Sequence, residues 1–310
     1  MSDIFFQSDD KSFTLYHGDC LDVLPRLERT FGGAYADLVF ADPPYLLSND
    51  GITCQSGKMV SVNKGKWDKS IGAVEDHINV KHWLDAARHA MKPDATIWVT
   101  GTMHIIYSIG FAMQELGFKL LNDIVWVKPA PPPNLACRTF THSTEIVLWA
   151  ARNSGSIKGE KKSRYVFNYA DMKLQNGGKQ MKSVWEQFAS DFDVTNLSRS
   201  DKKKLKEEII EEHLLATMEK KWIMGTPRTE EKKFGKHPTQ KPLALLKRII
   251  EASSNPGQTV IDPFNGTGAT GIMASMLGRN YIGIDASEEY LEITKKRYFD
   301  LTKEHSLLRV

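Results

Sequence analysis

Short apolar or β-rich runs recur along the chain, at 13–17, 38–41, 96–100, 124–127, 145–150, 259–261 and 281–284. Most are too short for a helix and carry the branched and aromatic residues that suit a pleated surface. Between them, over 80–91, 105–117 and 242–254, apolar positions return every three or four residues, as on one face of a helix. Strands alternating with helices predict an α/β domain built on a largely parallel sheet. Pro129 to Pro133 forms a rigid turn after one strand, and Pro256-Gly257 marks a second turn before another. From 151 to 236 the alternation stops. Residues 152–164 are polar and basic, and 198–221 form a charged helical pattern with Leu205, Ile209, Leu214 and Leu215 as its apolar positions. The chain therefore divides into 1–150, an inserted module over 151–236, and 237–310.

Two of the predicted strands end in segments with chemistry. After 38–41 comes Asp42-Pro43-Pro44-Tyr45. The prolines fix their own φ and push the preceding residues toward extended conformations, so the segment is a stiff corner. Asp42 offers a carboxylate, Pro43 a carbonyl without a competing N–H, and Tyr45 a flat ring. This set suits an exocyclic aromatic amine, which has two N–H donors beside a planar ring. The amine's lone pair is delocalised, and two acceptors on its N–H groups favour the nucleophilic, pyramidal form. A base paired in a duplex must be flipped out to reach such a corner, at a cost of roughly a few kcal/mol.

After 259–261 comes Asp262-Pro263-Phe264-Asn265-Gly266-Thr267-Gly268, followed by a helical pattern from Ala269 to Leu277. Glycines between a strand and a helix let the backbone approach a ligand closely. The next strand ends at Asp285, where such folds place an acid on ribose hydroxyls. The pattern fits NAD or another nucleoside cofactor.

Composition narrows this little. Hydrophobic residues make up 41% and charged residues 25% of 310, which suits one sizeable core with room for an extra module. A net charge of +3 requires a nucleic-acid enzyme to gather its cations on one face. Cys20, Cys54 and Cys137 are widely spaced, so neither a disulfide framework nor a metal site is expected. With no basic, apolar leader and no 18-residue apolar stretch, the expectation is a soluble protein of the cytoplasm, away from membranes.

The ordered set of motifs resembles the β-class amino methyltransferases of DNA, in which a catalytic DPPY segment precedes the FxGxG cofactor segment. Similarity runs through Phe40 to Tyr45, Val60 to Gly65, Asn134 to Arg138, Phe140 to Glu145 and His237 to Pro242, covering most of 13–190 and 235–300. The likeness is greatest to the adenine-N6 enzymes of restriction systems. It implies a Rossmann-like sheet of seven strands, one antiparallel, in permuted order. It further implies S-adenosylmethionine as cofactor, DNA as substrate with GATC as the candidate target, a homodimer, and a cognate restriction endonuclease as partner. Asp42, Pro43, Pro44 and Tyr45 would be catalytic. Asp262, Phe264, Asn265, Gly266, Gly268 and Asp285 would hold the cofactor together with Asp42. Asp19 and Cys20 would lie near its adenine, and His237 and Lys241 near its amino-acid end. Asn265 and Ala269 depart from the residues usual in that loop, without removing a glycine. Asp19 and Asp285 also occupy positions that suit helix N-caps. Lys58, Lys64, Lys66 and Trp67, after the corner, combine cations and an aromatic as phosphate and base contacts do. Arg138, His142 and Ser143 would complete the DNA surface, and 151–236 would read the target sequence. Cytosine N4 fits the same acceptors; Asp at position 42 leans toward adenine in the family, and Ser toward cytosine. RNA methylation and a non-catalytic nucleotide-binding regulator are the remaining alternatives.

Overall fold

Leu38 and Phe40 enter one hydrophobic cluster, while Val39 and Ala41 enter another. A strand that feeds cores on both faces must lie inside a sheet covered by helices on both sides. The computed structural model describes residues 4–49, 52–55, 58–61, 63, 65–128, 131–155, 158–159, 161–186 and 240–307. Its strands are β1 (Ile4–Gln7), β2 (Phe13–His17), β3 (Ala36–Ala41), β4 (Ile52–Gln55), β5 (Lys58–Ser61), β6 (Met91–Gly101), β7 (Lys119–Val127), β8 (Thr144–Ala151), β9 (Val184–Trp185), β10 (Thr259–Asp262) and β11 (Asn280–Asp285). The α-helices are α1 (Cys20–Phe31), α2 (Ala73–Ala90), α3 (Ile106–Glu115), α4 (Tyr169–Gln175), α5 (Leu243–Ser253), α6 (Ala269–Met276) and α7 (Glu288–Leu307).

Nine strands form one sheet in the order β1-β2-β11-β10-β3-β6-β8-β7-β9. All seven runs read from the sequence lie in it, and β8 runs antiparallel to both neighbours. The two additions are edge strands: β1, antiparallel to β2, and the two-residue β9, parallel to β7. Helices α1, α2 and α3 cover one face, and α5 and α6 the other. In α1 the buried residues Cys20, Val23, Leu24 and Leu27 fall on one helical stripe, and Gly32, at φ +72°, ends the helix.

β3 and β10 are parallel neighbours, paired through Leu38 with Val260 and Val39 with Ile261. The chain leaves β3 toward β6 on one side and leaves β10 toward β11 on the other. The crevice at their carboxyl ends is therefore the switch point at which open α/β sheets bind ligands. Asp37 fastens the pair, accepting the backbone N–H of Thr259 at 2.9 Å and the Lys92 ammonium at 2.8 Å.

The described part of the expected insertion packs on this frame. Asn168 donates to the carbonyls of Glu251 and Ser254, at 2.7 and 2.9 Å, tying the entry of α4 to the end of α5. The charged pattern at 198–221 lies outside the described residues. Among those described, no helix is long and apolar enough to cross a membrane.

Candidate active site

β3 delivers Asp42 to the crevice and β6, its neighbour, delivers Thr100. Thr100 Oγ1 donates to Asp42 Oδ1 at 2.6 Å, and Lys241 Nζ donates to Asp42 Oδ2 at 2.7 Å. Both carboxylate oxygens are thus engaged, and the Lys241 side chain is only 5% exposed. Lys241 arrives from the opposite end of the chain, just before α5.

The corner that follows is held from beneath by Asp68, which is fully buried. Asp68 Oδ1 accepts the backbone N–H of Tyr45 and of Leu46, each at 2.8 Å, and Oδ2 accepts the N–H of Leu47 at 3.2 Å and the Ser48 hydroxyl at 2.9 Å. Leu46 has φ +59°, a strained value for a residue with a branched side chain. A carboxylate that collects successive N–H groups offsets that strain.

Tyr45, expected to stack on a base, has its ring 3% exposed. Lys241 Nζ lies 5.1 Å from the ring centre, and the phenol donates to Glu145 Oε2 at 3.3 Å. Glu145, at the start of β8, is also ion-paired with Lys128 at the end of β7. Burial and the nearby Asp42 and Glu145 carboxylates push the phenol's pKa well above its ordinary value.

Across the crevice, β10 ends at Asp262, whose carboxylate accepts the Phe264 N–H at 3.0 Å and the Thr270 hydroxyl at 2.6 Å. Burial raises its pKa to about 7 despite both bonds. Asp285, at the end of β11, accepts the Gly266 N–H at 2.7 Å and the Ser287 N–H at 2.8 Å. Burial raises it to about 6. It therefore fixes the loop and opens the turn into α7. Gly266, Gly268 and Gly271 have the spacing of a dinucleotide fingerprint, and each of the last two is sterically required. A Cβ on Gly268 would stand 2.2 Å from Thr294 Cγ2, and one on Gly271 would stand 2.4 Å from Tyr281 Cε1. Asn265 braces the loop from inside: its amide donates to Gly266 O at 2.7 Å and Thr294 Oγ1 at 2.9 Å, and accepts the Tyr281 hydroxyl at 2.8 Å.

Asp42, Lys241, Asp262, Phe264, Asn265 and Gly266 line one cleft of about 310 Å³, its open mouth included. Two motifs from opposite ends of the sequence thus share one site. Lys241, expected beside the cofactor's amino-acid end, lines the same cleft as the glycine loop and is paired there with Asp42. Asp19 caps α1 by accepting the Leu21 N–H at 2.8 Å. The Cys20 thiol is turned into the core, where burial raises its pKa to about 12.

Lys58 lies on β5, which pairs with β4 as an antiparallel hairpin. Lys66 opens a short 3-10 turn, and Trp67 within it is exposed. Arg138 and His142 are exposed between β7 and β8, and Ser143 is half-buried, its carbonyl accepting the Lys128 N–H at 2.7 Å. Lys64 and His237 lie outside the described residues. Asp68, Thr100 and Lys128 belong to none of the motifs recognisable in the sequence, and Glu145 only closes the segment Phe140 to Glu145. Thr100 had a signal, a hydroxyl closing a strand; Asp68 had none. Among the described residues no group of His, Cys, Asp and Glu could hold a metal ion.

A family model described as DNA methylase matches residues 36–296. The chain is 43% identical over 283 residues to the type II methyltransferase M2.DpnII of Streptococcus pneumoniae, covering 91% of this chain and 88% of that protein. It is 40% identical over 298 residues to the type II methyltransferase M2.MboI of Moraxella bovis, covering 96% and 92%. Two solved structures share the fold at lower identity. M1.HpyAVI in its SAM complex superposes with a TM-score of 0.56 at 22% identity, over 92% of this chain and 98% of that one. The cytosine-N4-specific PvuII DNA methyltransferase gives 0.59 at 18%, over 92% and 86%.

Proposed function

The chain belongs to the DNA methylase family, and on that premise we propose that it transfers a methyl group from S-adenosylmethionine to the N6 amine of adenine in DNA. The observation that carries this reading is the meeting of Asp42 and the Asp262–Gly268 loop in one cleft at the switch point. Asp, where cytosine enzymes of the family lean to Ser, supports adenine.

The donor set fits a nucleoside bearing an amino acid. Asp285 stands at the strand end where ribose hydroxyls bind in this topology. Phe264, edge-on to Trp83 at 5.2 Å, offers an apolar ring for a planar base, and Asp262 a carboxylate below the glycine loop. When bound, S-adenosylmethionine supplies an electrophilic methyl group on a sulfonium. The chain's own residues do the rest. Asp42 and the Pro43 carbonyl accept the amine's two N–H bonds and stabilise the positive charge that grows on it. Asp42 is also the acceptor placed for the surplus proton. Thr100 and Asp68 keep the corner from moving, which converts the reaction into a matter of position. No covalent bond to the enzyme is required.

Lys58, Lys66, Trp67, Arg138, His142 and Ser143, with Lys64, form the DNA-contacting set, with 151–236 contributing sequence readout. The protein works in the cytoplasm as the modification half of a restriction system, with a cognate endonuclease as partner. Val74, Ile78, Tyr107 and Phe111, exposed on α2 and α3, support a homodimer.

The test is methyl transfer from labelled cofactor to unmodified genomic DNA, followed by mass identification of the methylated nucleoside. N6-methyladenine is expected, with incorporation lost on DNA whose GATC sites are already methylated. N4-methylcytosine would overturn the adenine assignment, and cofactor binding without incorporation would overturn the DNA reading.

A further inference from the structure

Lys241 stands where the reaction needs the target amine. Its Nζ is 2.7 Å from Asp42 Oδ2 and 5.1 Å from the centre of the Tyr45 ring. An adenine stacked on Tyr45 with its exocyclic nitrogen on Asp42 would bring that nitrogen into the same space. Two nitrogen donors cannot share it. An ammonium left there would also oppose the positive charge that develops on the amine, raising the barrier.

A second carboxylate is within reach. Glu145 Oε2 lies 3.9 Å from Lys241 Nζ and already accepts the Tyr45 hydroxyl at 3.3 Å. Glu145 is 7% exposed and its other oxygen holds Lys128. A buried ammonium is best kept beside a carboxylate, and Glu145 offers one within a short movement of Asp42. Its flexible four-carbon stem permits the movement, and Thr100 keeps the remaining oxygen of Asp42 in place.

We propose that Lys241 is a positioning residue that fills the amine's place before the base arrives and passes from Asp42 to Glu145 as the base enters. Glu145 thereby sets how readily Asp42 is freed. The hydroxyl of Tyr45, on the same Glu145 oxygen, reports the exchange to the ring that will carry the base. The inference rests on the reading of Asp42 as the amine's acceptor.

The experiment is steady-state methyl transfer to duplex DNA by the full chain, comparing wild type, Glu145→Gln, Lys241→Met and the double variant, with cofactor Kd measured calorimetrically in the absence of DNA. Glu145→Gln is expected to raise KM for DNA about tenfold and to lower kcat, because the ammonium stays on Asp42. Lys241→Met is expected to lower KM for DNA, and adding it to Glu145→Gln should bring KM back to within about threefold of wild type. A merely structural Glu145 would give no such relief. If Lys241→Met raises cofactor Kd, leaves KM for DNA unmoved and fails to relieve Glu145→Gln, the handover is overturned. Thermal unfolding is read on each variant. Should Glu145→Gln not fold, Lys241→Arg replaces it: a forked cation held on Asp42 should raise KM for DNA, and an unchanged KM overturns the proposal. A wild type that methylates no DNA base fails at the underlying reading, whereas an active wild type with additive variants fails at the handover alone.

Discussion

Asp68 and Tyr45 are 23 residues apart, yet the fully buried Asp68 carboxylate accepts the Tyr45 backbone N–H at 2.8 Å. The same carboxylate serves Leu46 and Leu47. Asp68→Ala would leave these N–H groups unpaired in a poorly hydrated corner, at about 1–3 kcal/mol for each buried one. A loss of about 3–5 kcal/mol in stability is expected, with methyl transfer abolished. Denaturant unfolding and a methylation assay check both parts, and Asp68→Asn should fall between the extremes.

Asp42→Ala removes the acceptor but leaves Glu145 beside Lys241. Methyl transfer is expected to fall by about 10³-fold or more, with a much smaller loss of cofactor affinity, about tenfold at most, because Asp42 also lines the cofactor's cleft. Single-turnover transfer and calorimetry separate the two. A variant that retains activity would sink the assignment of Asp42.

Asp285 and Asp262 titrate at about 6 and about 7, above the ordinary 3.8, because burial disfavours their charge. Both hold their protons more tightly folded than unfolded. Their contribution to stability therefore falls as pH rises from about 4 to about 7, and is level above that. Cofactor binding runs the other way: the ionised Asp285 is the better acceptor for ribose hydroxyls, so affinity should rise through pH 6, by up to about tenfold per unit below it. Calorimetry from pH 5 to 8 on wild type and Asp285→Asn tests this, since the step at 6 should vanish in the variant.

Gly268→Ala meets two obstacles, a φ of +73° and Thr294 Cγ2 at 2.2 Å from the new carbon. Thr294 cannot retreat cheaply, because it is fully buried and its hydroxyl is engaged with Asn265 and Gly266. About 2–4 kcal/mol of destabilisation is expected, together with at least about tenfold weaker cofactor binding. Cofactor-dependent thermal shifts measure both.

The sheet was legible because its strands carry local signals: runs such as 38–41 and 281–284 are buried on both faces and read as apolar without interruption. The edge strands were not. β1 carries only the apolar triplet Ile4-Phe5-Phe6, set between polar residues and partly exposed at the sheet edge, and β9 has two residues, too few to form a run. In the site, Asp42 and the glycine loop could be found because proline and glycine mark backbone geometry in the sequence itself. Asp68, Glu145 and Lys241 could not be placed, because their roles depend on partners far away in the chain. Lys241 is 199 residues from the carboxylate it holds. A lysine that neutralises a distant carboxylate has the same local sequence as one that faces solvent or a cofactor. Only the pairing of β3 with β10 reveals which it is.

That pairing has a consequence for translation. The ribosome releases the acceptor corner early and the methyl-donor loop late, with β10 and β11 following everything up to β9. Until they emerge, β3 has an open edge where β10 will lie, and Asp42 has no loop opposite it. Domains generally fold as units once they leave the ribosome, so this one stays chemically silent until β10 and β11 have emerged. A chain aborted after β9 would carry the acceptor corner yet methylate nothing. Modification activity is in effect a signal that translation has run past Asp285.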